Sequence, residues 1–223
     1  PARLIDIHTH AYRAAELALA GTHMFVQGPA EVDAAAWRAM QGRQVGPPRL
    51  QGALFLGTPF VPVAGIPAHN AFLLEQAAAV EAGRALLLVA PEMTPEQFRP
   101  HLDHPGFAGF KPYHTYSPHT PTLQAPLDSY LPAWVWELAH ERGLIITLHL
   151  VKHRALADPD NQREIRARCL RYPNARLILA HAARGFHQYN TTRAIAALRG
   201  LQNVWFDTAA VCEAAPLLAI LRE

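Results

Sequence analysis

The sequence predicts an α/β fold of repeating strand–helix units, either an open doubly wound sheet or a (β/α)8 barrel that lacks its eighth unit. From residue 70 onward, helix-like stretches alternate with short apolar runs at about 26 to 38 residues per unit. These runs are continuously apolar, which is typical of parallel strands buried on both faces. No glycine-rich phosphate loop follows any of them, which argues against a dinucleotide-binding site.

Composition bounds the class of protein. The chain has 223 residues, of which half are hydrophobic and 17% are charged, so we expect one packed domain over residues 1–223. A net charge of +2 and dispersed arginines give no sign of a nucleic-acid partner. No apolar run approaches the roughly 20 residues that span a bilayer, and no signal peptide precedes Arg3. We therefore expect a cytoplasmic protein without a membrane partner, with Cys169 and Cys212 as buried reduced thiols.

The first elements are less regular than the later ones. Strands are expected at residues 3–7 and 52–56, and the segment 20–50 is rich in glycine and proline, which indicates an insertion covering one end. A helix over 70–83 precedes a strand over 84–90. A helix start at Thr94 then leads to a strand at 109–111.

The second half repeats the unit more clearly. Helices are expected over 127–142, 161–172, 192–199 and 212–223, and Gly143, Pro173 and Gly200 end the first three. Strands are expected over 144–150, 175–180 and 203–207. Seven strands in total are predicted.

Histidines recur where these strands end. His8 and His10 alternate on the first strand, so both side chains point to one face with Cα atoms about 7 Å apart. His149 ends the fifth strand and His181 ends the sixth. Active sites of barrels lie at the carboxyl ends of the strands, and several imidazoles buried together are costly unless they bind hydrogen-bond partners or metal. The pattern therefore predicts a divalent metal site.

Other strand ends and loops carry polar residues. Lys111 ends the fourth strand, where it either reaches solvent, or bridges metals after carboxylation, or binds a substrate carboxylate. Asp207 ends the seventh strand, either as a hydrogen-bond partner of a ligand histidine or as a structural cap. In the loops, Arg184, Tyr113 and His114 are the candidates for binding an anionic or aromatic substrate.

The chain resembles the amidohydrolase superfamily, and within it the amidohydrolase-related branch that includes aminocarboxymuconate-semialdehyde decarboxylase and the resorcylate decarboxylases. The matching pieces are IDIHTH, GFKPY, LIITLHL, NARLILAHAARG and NVWFDT, so the resemblance runs from residue 3 to the end. It implies a distorted (β/α)8 barrel in which His8, His10 and His149 bind the metal. By the same resemblance His181 shuttles a proton or binds a second ion, and Lys111 falls where some members carry a carboxylated lysine.

One part of the superfamily pattern is absent from this sequence. The aspartate of strand 8, which binds metal and takes a proton from the nucleophilic water, has no counterpart, and Asp207 lies one strand too early to replace it. We expect that the sequence is cut short and that about 50 more residues would complete a barrel of about 250.

The expected function is a metal-dependent hydrolase that attacks a small acidic lactone, ester or amide with a metal-activated hydroxide. A metal-dependent decarboxylase of an aromatic or unsaturated acid is the alternative. A phosphoesterase or nuclease of another H-x-H barrel family and a non-catalytic relative that binds a small acid are the remaining hypotheses. Zn²⁺ is the expected ion, with Mn²⁺ as the second choice, and the partner is a small-molecule substrate. Whether the chain forms a homo-oligomer is left open.

Overall fold

The computed structural model describes residues 3–19 and 23–223. The chain divides into two compact units. The first comprises Pro1–Leu88 with Phe98–Lys111, and the second comprises Val89–Gln97 with Pro112–Glu223. Whether the whole chain forms a single domain stays a prediction.

The first unit is built on parallel strands. Strand β1 (Leu4–His10) pairs with β4 (Leu50–Leu56), and β4 pairs with β5 (Arg84–Val89), with Leu54 opposite Arg84. The sheet order continues from β5 to β6 (Phe107–Pro112). Strands β4 and β5 are almost entirely buried, as expected for apolar runs covered on both faces. A separate short antiparallel pair is formed by β2 (Tyr12–Arg13) and β3 (Glu31–Val32).

The helices of the first unit correct the sequence prediction. They are α1 (Met24–Gln27), α2 (Ala34–Val45) and α3 (Ile66–Ala78). The segment 20–50 is therefore not wholly irregular, because Asp33 caps the twelve-residue α2 by accepting a hydrogen bond from the Ala36 amide at 2.7 Å. Residues 20–22 of that segment lie outside the described residues. Helix α3 begins four residues earlier than predicted, with Pro67 in its first turn.

Buried amide side chains fix helices to strands. Asn70 of α3 donates to the Leu88 carbonyl at 3.0 Å and accepts from the Leu88 amide at 2.8 Å. In the second unit, Asn203 donates to the carbonyls of Cys169, Tyr172 and Ala175 at 3.0–3.2 Å. These bonds satisfy backbone groups that would otherwise be buried without partners.

The second unit contains three parallel strands, in the order β7 (Ile145–Leu148), β8 (Arg176–Leu179) and β9 (Val204–Phe206). Their register aligns Thr147 with Ile178, and Ile178 with Trp205. Its elements are α4 (Ala133–Arg142), β7 (Ile145–Leu148), α5 (Pro159–Arg171), β8 (Arg176–Leu179), α6 (Ala180–Arg184), α7 (Gln188–Thr192), β9 (Val204–Phe206) and α8 (Ala214–Arg222).

Three further expectations differ from the structure. The helix predicted from Leu127 begins at Ala133, because Pro132 sets its start and only a short 3-10 turn precedes it. The helix predicted over 192–199 is replaced by α7 and a 3-10 turn, Ile195–Leu198. Both cysteines are unpaired, but only Cys169 is buried, and Cys212 is exposed. Among the described residues, no helix is long and apolar enough to cross a membrane.

Candidate metal centre

The histidines of β1 share one face of the strand. Their ring centroids lie 5.2 Å apart with the planes at 74°. Ile5 and Ile7 alternate with them and are 55% and 42% exposed, so Asp6, His8 and His10 point to the opposite face. The first unit thus presents two adjacent imidazoles from a single strand.

Hydrogen bonds to neighbouring strands and helices orient this motif. The Nδ1 atom of His10 lies 3.0 Å from the carbonyl oxygen of Gly57, just beyond β4. Because a carbonyl only accepts, Nδ1 carries the proton and Nε2 carries the lone pair that a metal would need. Glycine at position 57 also allows close packing on the neighbouring strand, since a Cβ there would overlap the side chain of Leu88.

Asp6 is a positioning residue that the sequence analysis did not single out. Its Oδ1 accepts from the amide of His8 at 3.1 Å, and its Oδ2 accepts from Nε1 of the buried Trp37 at 3.1 Å. The carboxylate therefore connects the H-x-H strand to α2. The signal was available, because Asp6 lies two residues before His8 and so shares its face.

Lys111 lies in β6 of the first unit and is 1% exposed. Of the three alternatives for Lys111, the one in which its side chain reaches solvent is wrong, because the side chain is buried. Placing an ammonium group in the interior is costly unless a polar or charged partner compensates. Lys111 is one of two lysines in the sequence, the other being Lys152. Its burial supports a role inside the protein.

The second unit brings His149 and His181 together. His149 follows β7 and His181 follows β8, and their ring centroids lie 5.3 Å apart at 76°. His114 stacks on His149 with centroids 6.0 Å apart. This unit therefore presents a second pair of imidazoles at strand ends, with a third ring beside it.

Asp207 holds the His181 backbone. The buried carboxylate, 2% exposed, accepts from the amide of His181 at 2.8 Å and from that of Ala209 at 3.1 Å. The His181 ring binds elsewhere, since its Nδ1 lies 2.9 Å from the carbonyl of Ala209. Nδ1 therefore carries the proton and Nε2 the lone pair. Both predicted roles of Asp207 are thus partly met, because it caps the strand and orients the histidine through its backbone.

A left-handed turn presents His181. The four residues from His181 to Arg184 have φ of 57°, 52°, 58° and 66°, although none is glycine. Each such residue costs roughly 1–2 kcal/mol relative to the right-handed form, and strain of this kind is often found at functional sites. Nothing in the sequence HAARG signals the turn, because alanine favours right-handed helix.

Hydrogen bonds from α7 and to the Asp207 carbonyl after β9 stabilise this turn. The Thr191 hydroxyl donates to the Ala182 carbonyl, and the Asn190 amide donates to the Arg184 carbonyl at 3.0 Å. The Ala182 amide donates to the Asp207 carbonyl at 2.6 Å. The strained backbone is therefore enclosed by buried partners.

The predicted substrate-binding residues lie in the second unit. Burial, and then the nearby Tyr116 and Asp207, raise the pKa of Tyr113 well above its usual value, so its hydroxyl stays protonated at neutral pH. Arg184 donates from Nη1 to the Lys152 carbonyl at 3.3 Å, which fixes the guanidinium. The Nδ1 atom of His114 lies 3.2 Å from the Thr122 hydroxyl.

Comparison with known proteins places the chain in a class. The family profile described as amidohydrolase matches residues 5–221, and the chain belongs to this family. Its members are typically metal-dependent enzymes, hydrolases or decarboxylases. No curated protein matches the sequence significantly.

A solved structure supports the fold. The chain is similar to a crystal structure of an amidohydrolase II, with 16% identity and a TM-score of 0.57, covering 98% of this chain and 82% of the other. The likeness confirms the predicted barrel-type α/β fold with one unit lacking. Histidines at strand ends fit the donor chemistry of a divalent ion.

Proposed function

We propose that this protein is a metal-dependent hydrolase that cleaves a small acidic lactone, ester or amide. The observation that carries the proposal is the fixed His181 ring, which lies on a strained turn beside His149 with its Nδ1 bonded to the Ala209 carbonyl. Such an arrangement fixes the direction of the ring and assigns the proton to Nδ1 and the lone pair to Nε2. Amidohydrolase membership supports the reaction class.

The ligands proposed for the ion are His8, His10 and His149. This assignment rests on their positions at strand ends and on the family resemblance, and the orientation of His10 by Gly57 supports it. Lys111 is proposed as a further ligand, after its amine has added CO₂ to form a carbamate, or as a cation for the substrate carboxylate. A bound Zn²⁺, or alternatively Mn²⁺, would act as a Lewis acid and make hydroxide available near neutral pH.

The chain's own residues handle the proton and the substrate. His181 Nε2 accepts the proton of the attacking water and returns it to the leaving oxygen or nitrogen, because imidazole titrates near neutral pH. Arg184 binds the carboxylate of the substrate with its remaining guanidinium donors. The Tyr113 hydroxyl is protonated at neutral pH, as for any tyrosine, and burial raises its pKa further. It donates a hydrogen bond to a substrate oxygen.

Decarboxylation of an aromatic or unsaturated acid is the second candidate, as in the branch that the motifs resemble. The His114 ring, which stacks beside His149, favours it, since a flat ring at the site can pack against a planar acid. In that reaction the protonated His181 delivers H⁺ to the carbon that loses CO₂.

A product assay separates the two reactions. The metal-loaded protein is incubated with lactones, aryl esters and aromatic acids while acid release and CO₂ release are both recorded. We expect acid release that is lost in His181→Asn and kept in His187→Asn, which removes an exposed histidine. Release of CO₂ without ester cleavage would select the decarboxylase, and neither product would rule out both.

A further inference from the structure

A pocket lies on the second unit between the start of α5 and helix α7. Its volume is about 490 Å³, and none of its lining residues belongs to the predicted site. The lining residues are Arg154, Ala157, Gln162, Tyr189, Asn190 and Arg193.

The lining of this pocket is cationic. It contains two arginines and no carboxylate, and among the described residues neither Arg154 nor Arg193 forms an ion pair. The acids nearest in sequence are engaged elsewhere, because Asp158 and Asp160 bind Lys152 at 3.0 Å and 3.3 Å. Two guanidinium groups are thus left to face one pocket.

An aromatic surface adjoins these charges. The Tyr189 ring is 60% exposed, and the Arg193 guanidinium lies 5.1 Å from its centroid. Arginine stacked on an aromatic ring keeps its planar fork of donors oriented, and such forks bind carboxylate or phosphate with two parallel hydrogen bonds. The volume exceeds what an inorganic ion needs.

We propose that this pocket binds a small organic anion that carries a phosphate or carboxylate group beside a flat apolar part. The two arginines bind the oxyanion, the Tyr189 ring packs against the apolar part, and Gln162 and Asn190 supply polar contacts. The ligand class follows from the charge, the ring and the volume together.

The pocket is mechanically connected to the His181 turn. Its Asn190 donates to the Arg184 carbonyl at 3.0 Å, and the adjacent Thr191 donates to the Ala182 carbonyl. An anion that orders α7 therefore stabilises the left-handed turn, because both hydrogen bonds start from that helix. The functional meaning of this coupling rests on the proposed proton-transfer role of His181. Binding of the anion to the pocket does not depend on the proposed function.

Calorimetric titration tests the binding. The probes are phenyl phosphate, benzoate and inorganic phosphate, with benzyl alcohol as the neutral control. We expect the organic anions to bind more tightly than inorganic phosphate and the alcohol not to bind. The preference between phenyl phosphate and benzoate identifies the anionic group. Absence of binding by both organic anions at millimolar concentration, or equal binding of the alcohol, would overturn the proposal.

Charge-removing variants locate the site. The double variant Arg154→Gln with Arg193→Gln should weaken anion binding by about tenfold or more, whereas Arg171→Gln, an exposed arginine outside the pocket, should change it less than twofold. Both variants should melt at the wild-type temperature. Equal weakening in the two would show a general charge effect and contradict the assignment.

Hydrogen exchange tests the coupling without turnover. Binding of phenyl phosphate should slow amide exchange in the peptide covering residues 182–185, where the Ala182 and Gly185 amides are hydrogen-bonded. Binding without slower exchange would refute the coupling while leaving the pocket. If the product assay finds no hydrolase activity, the results on anion binding and on amide exchange are unaffected.

Discussion

Single side chains determine how the two histidine pairs are presented. Asp6 and Asp207 act on the backbone of the histidines, because each carboxylate accepts a hydrogen bond from the backbone amide of a histidine. The ring nitrogens are fixed separately, by the carbonyls of Gly57 and Ala209. In His181 the backbone and the ring are thus oriented by different partners. On β1, Asp6 holds the backbone of His8 and Gly57 holds the ring of His10.

Asp207 provides a test of this division. Asp207→Ala should lower the free energy of unfolding by about 1–3 kcal/mol, because two half-buried amides lose their buried acceptor. Asp207→Asn keeps a carbonyl oxygen at the same place and should lose clearly less. Urea denaturation measures both, and an equal loss in the two variants would show that the charge, not the acceptor, is what matters.

His69 predicts a pH dependence away from the candidate site. Burial lowers the pKa of this fully buried histidine, and the hydrogen bond from its Nδ1 to Glu16, 3.1 Å long, opposes the shift. The unfolded chain takes up a proton below pH of about 6.5, its ordinary pKa, while the folded protein resists. Stability is therefore complete above that pH and falls as the pH drops toward the folded-state pKa.

The corresponding experiment compares unfolding free energies at pH 7.5 and 5.5. The drop should be smaller in His69→Gln than in the wild type, and unchanged in His140→Gln, which replaces a less buried histidine of α4. An identical drop in His69→Gln and the wild type would exclude His69 as its source.

Among the elements, the segment from α6 through α7 shows how local strain is held by tertiary contacts. The backbone of α6 turns left-handed from His181 to Arg184, and α7 binds two of its carbonyls. Without those bonds the alanines would return to their preferred right-handed conformation. The position of the proposed proton-transfer residue thus depends on a short neighbouring helix.

Thr191→Val removes one of these bonds while keeping the side-chain shape. We expect a loss of about 1–3 kcal/mol in unfolding free energy, because the buried Ala182 carbonyl loses its donor. Thr192→Val is the matched control, since Thr192 is exposed and bonds only the Gln188 carbonyl of its own helix. Chemical denaturation should find the control within about 0.5 kcal/mol of wild type, and an equally small effect at Thr191 would remove the support for this account.

The end of β4 predicts a steric effect. Gly57→Ala places a methyl group against Leu88 and should destabilise the protein by about 1–3 kcal/mol, and also displace the carbonyl that orients His10. Gly65→Ala, where the nearest atom lies 3.5 Å from the new Cβ, should be close to neutral. Thermal unfolding compares them, and a neutral Gly57→Ala would show that the strand end yields easily.

For the whole molecule, the strands were predictable and the irregular parts were not. Continuous apolar runs located the buried strands β4, β5, β7 and β8, since burial on both faces leaves a direct trace in composition. Helix α2 was missed because alanine and polar residues dominate it, so no apolar repeat marks the buried Trp37. Its Asp33 cap was the remaining signal.

The candidate site was predictable to the same extent. Histidines at strand ends could be read from the sequence because strand boundaries could. The burial of Lys111, the left-handed turn at His181 and the partners of Asp6 depend on contacts between distant segments, which a single sequence does not encode locally. The cationic pocket beside α7 was not predicted for the same reason, because Arg154 and Arg193 lie 39 positions apart in the chain.

The most direct test of the central claim is the metal content of purified His149→Ala, measured by inductively coupled plasma mass spectrometry beside wild type and His153→Ala, an exposed histidine four residues away. The account predicts a stoichiometric divalent ion in the wild type and in His153→Ala, and its loss from a folded His149→Ala. Full metal content in His149→Ala, or none in the wild type after loading with Zn²⁺ or Mn²⁺, would contradict it.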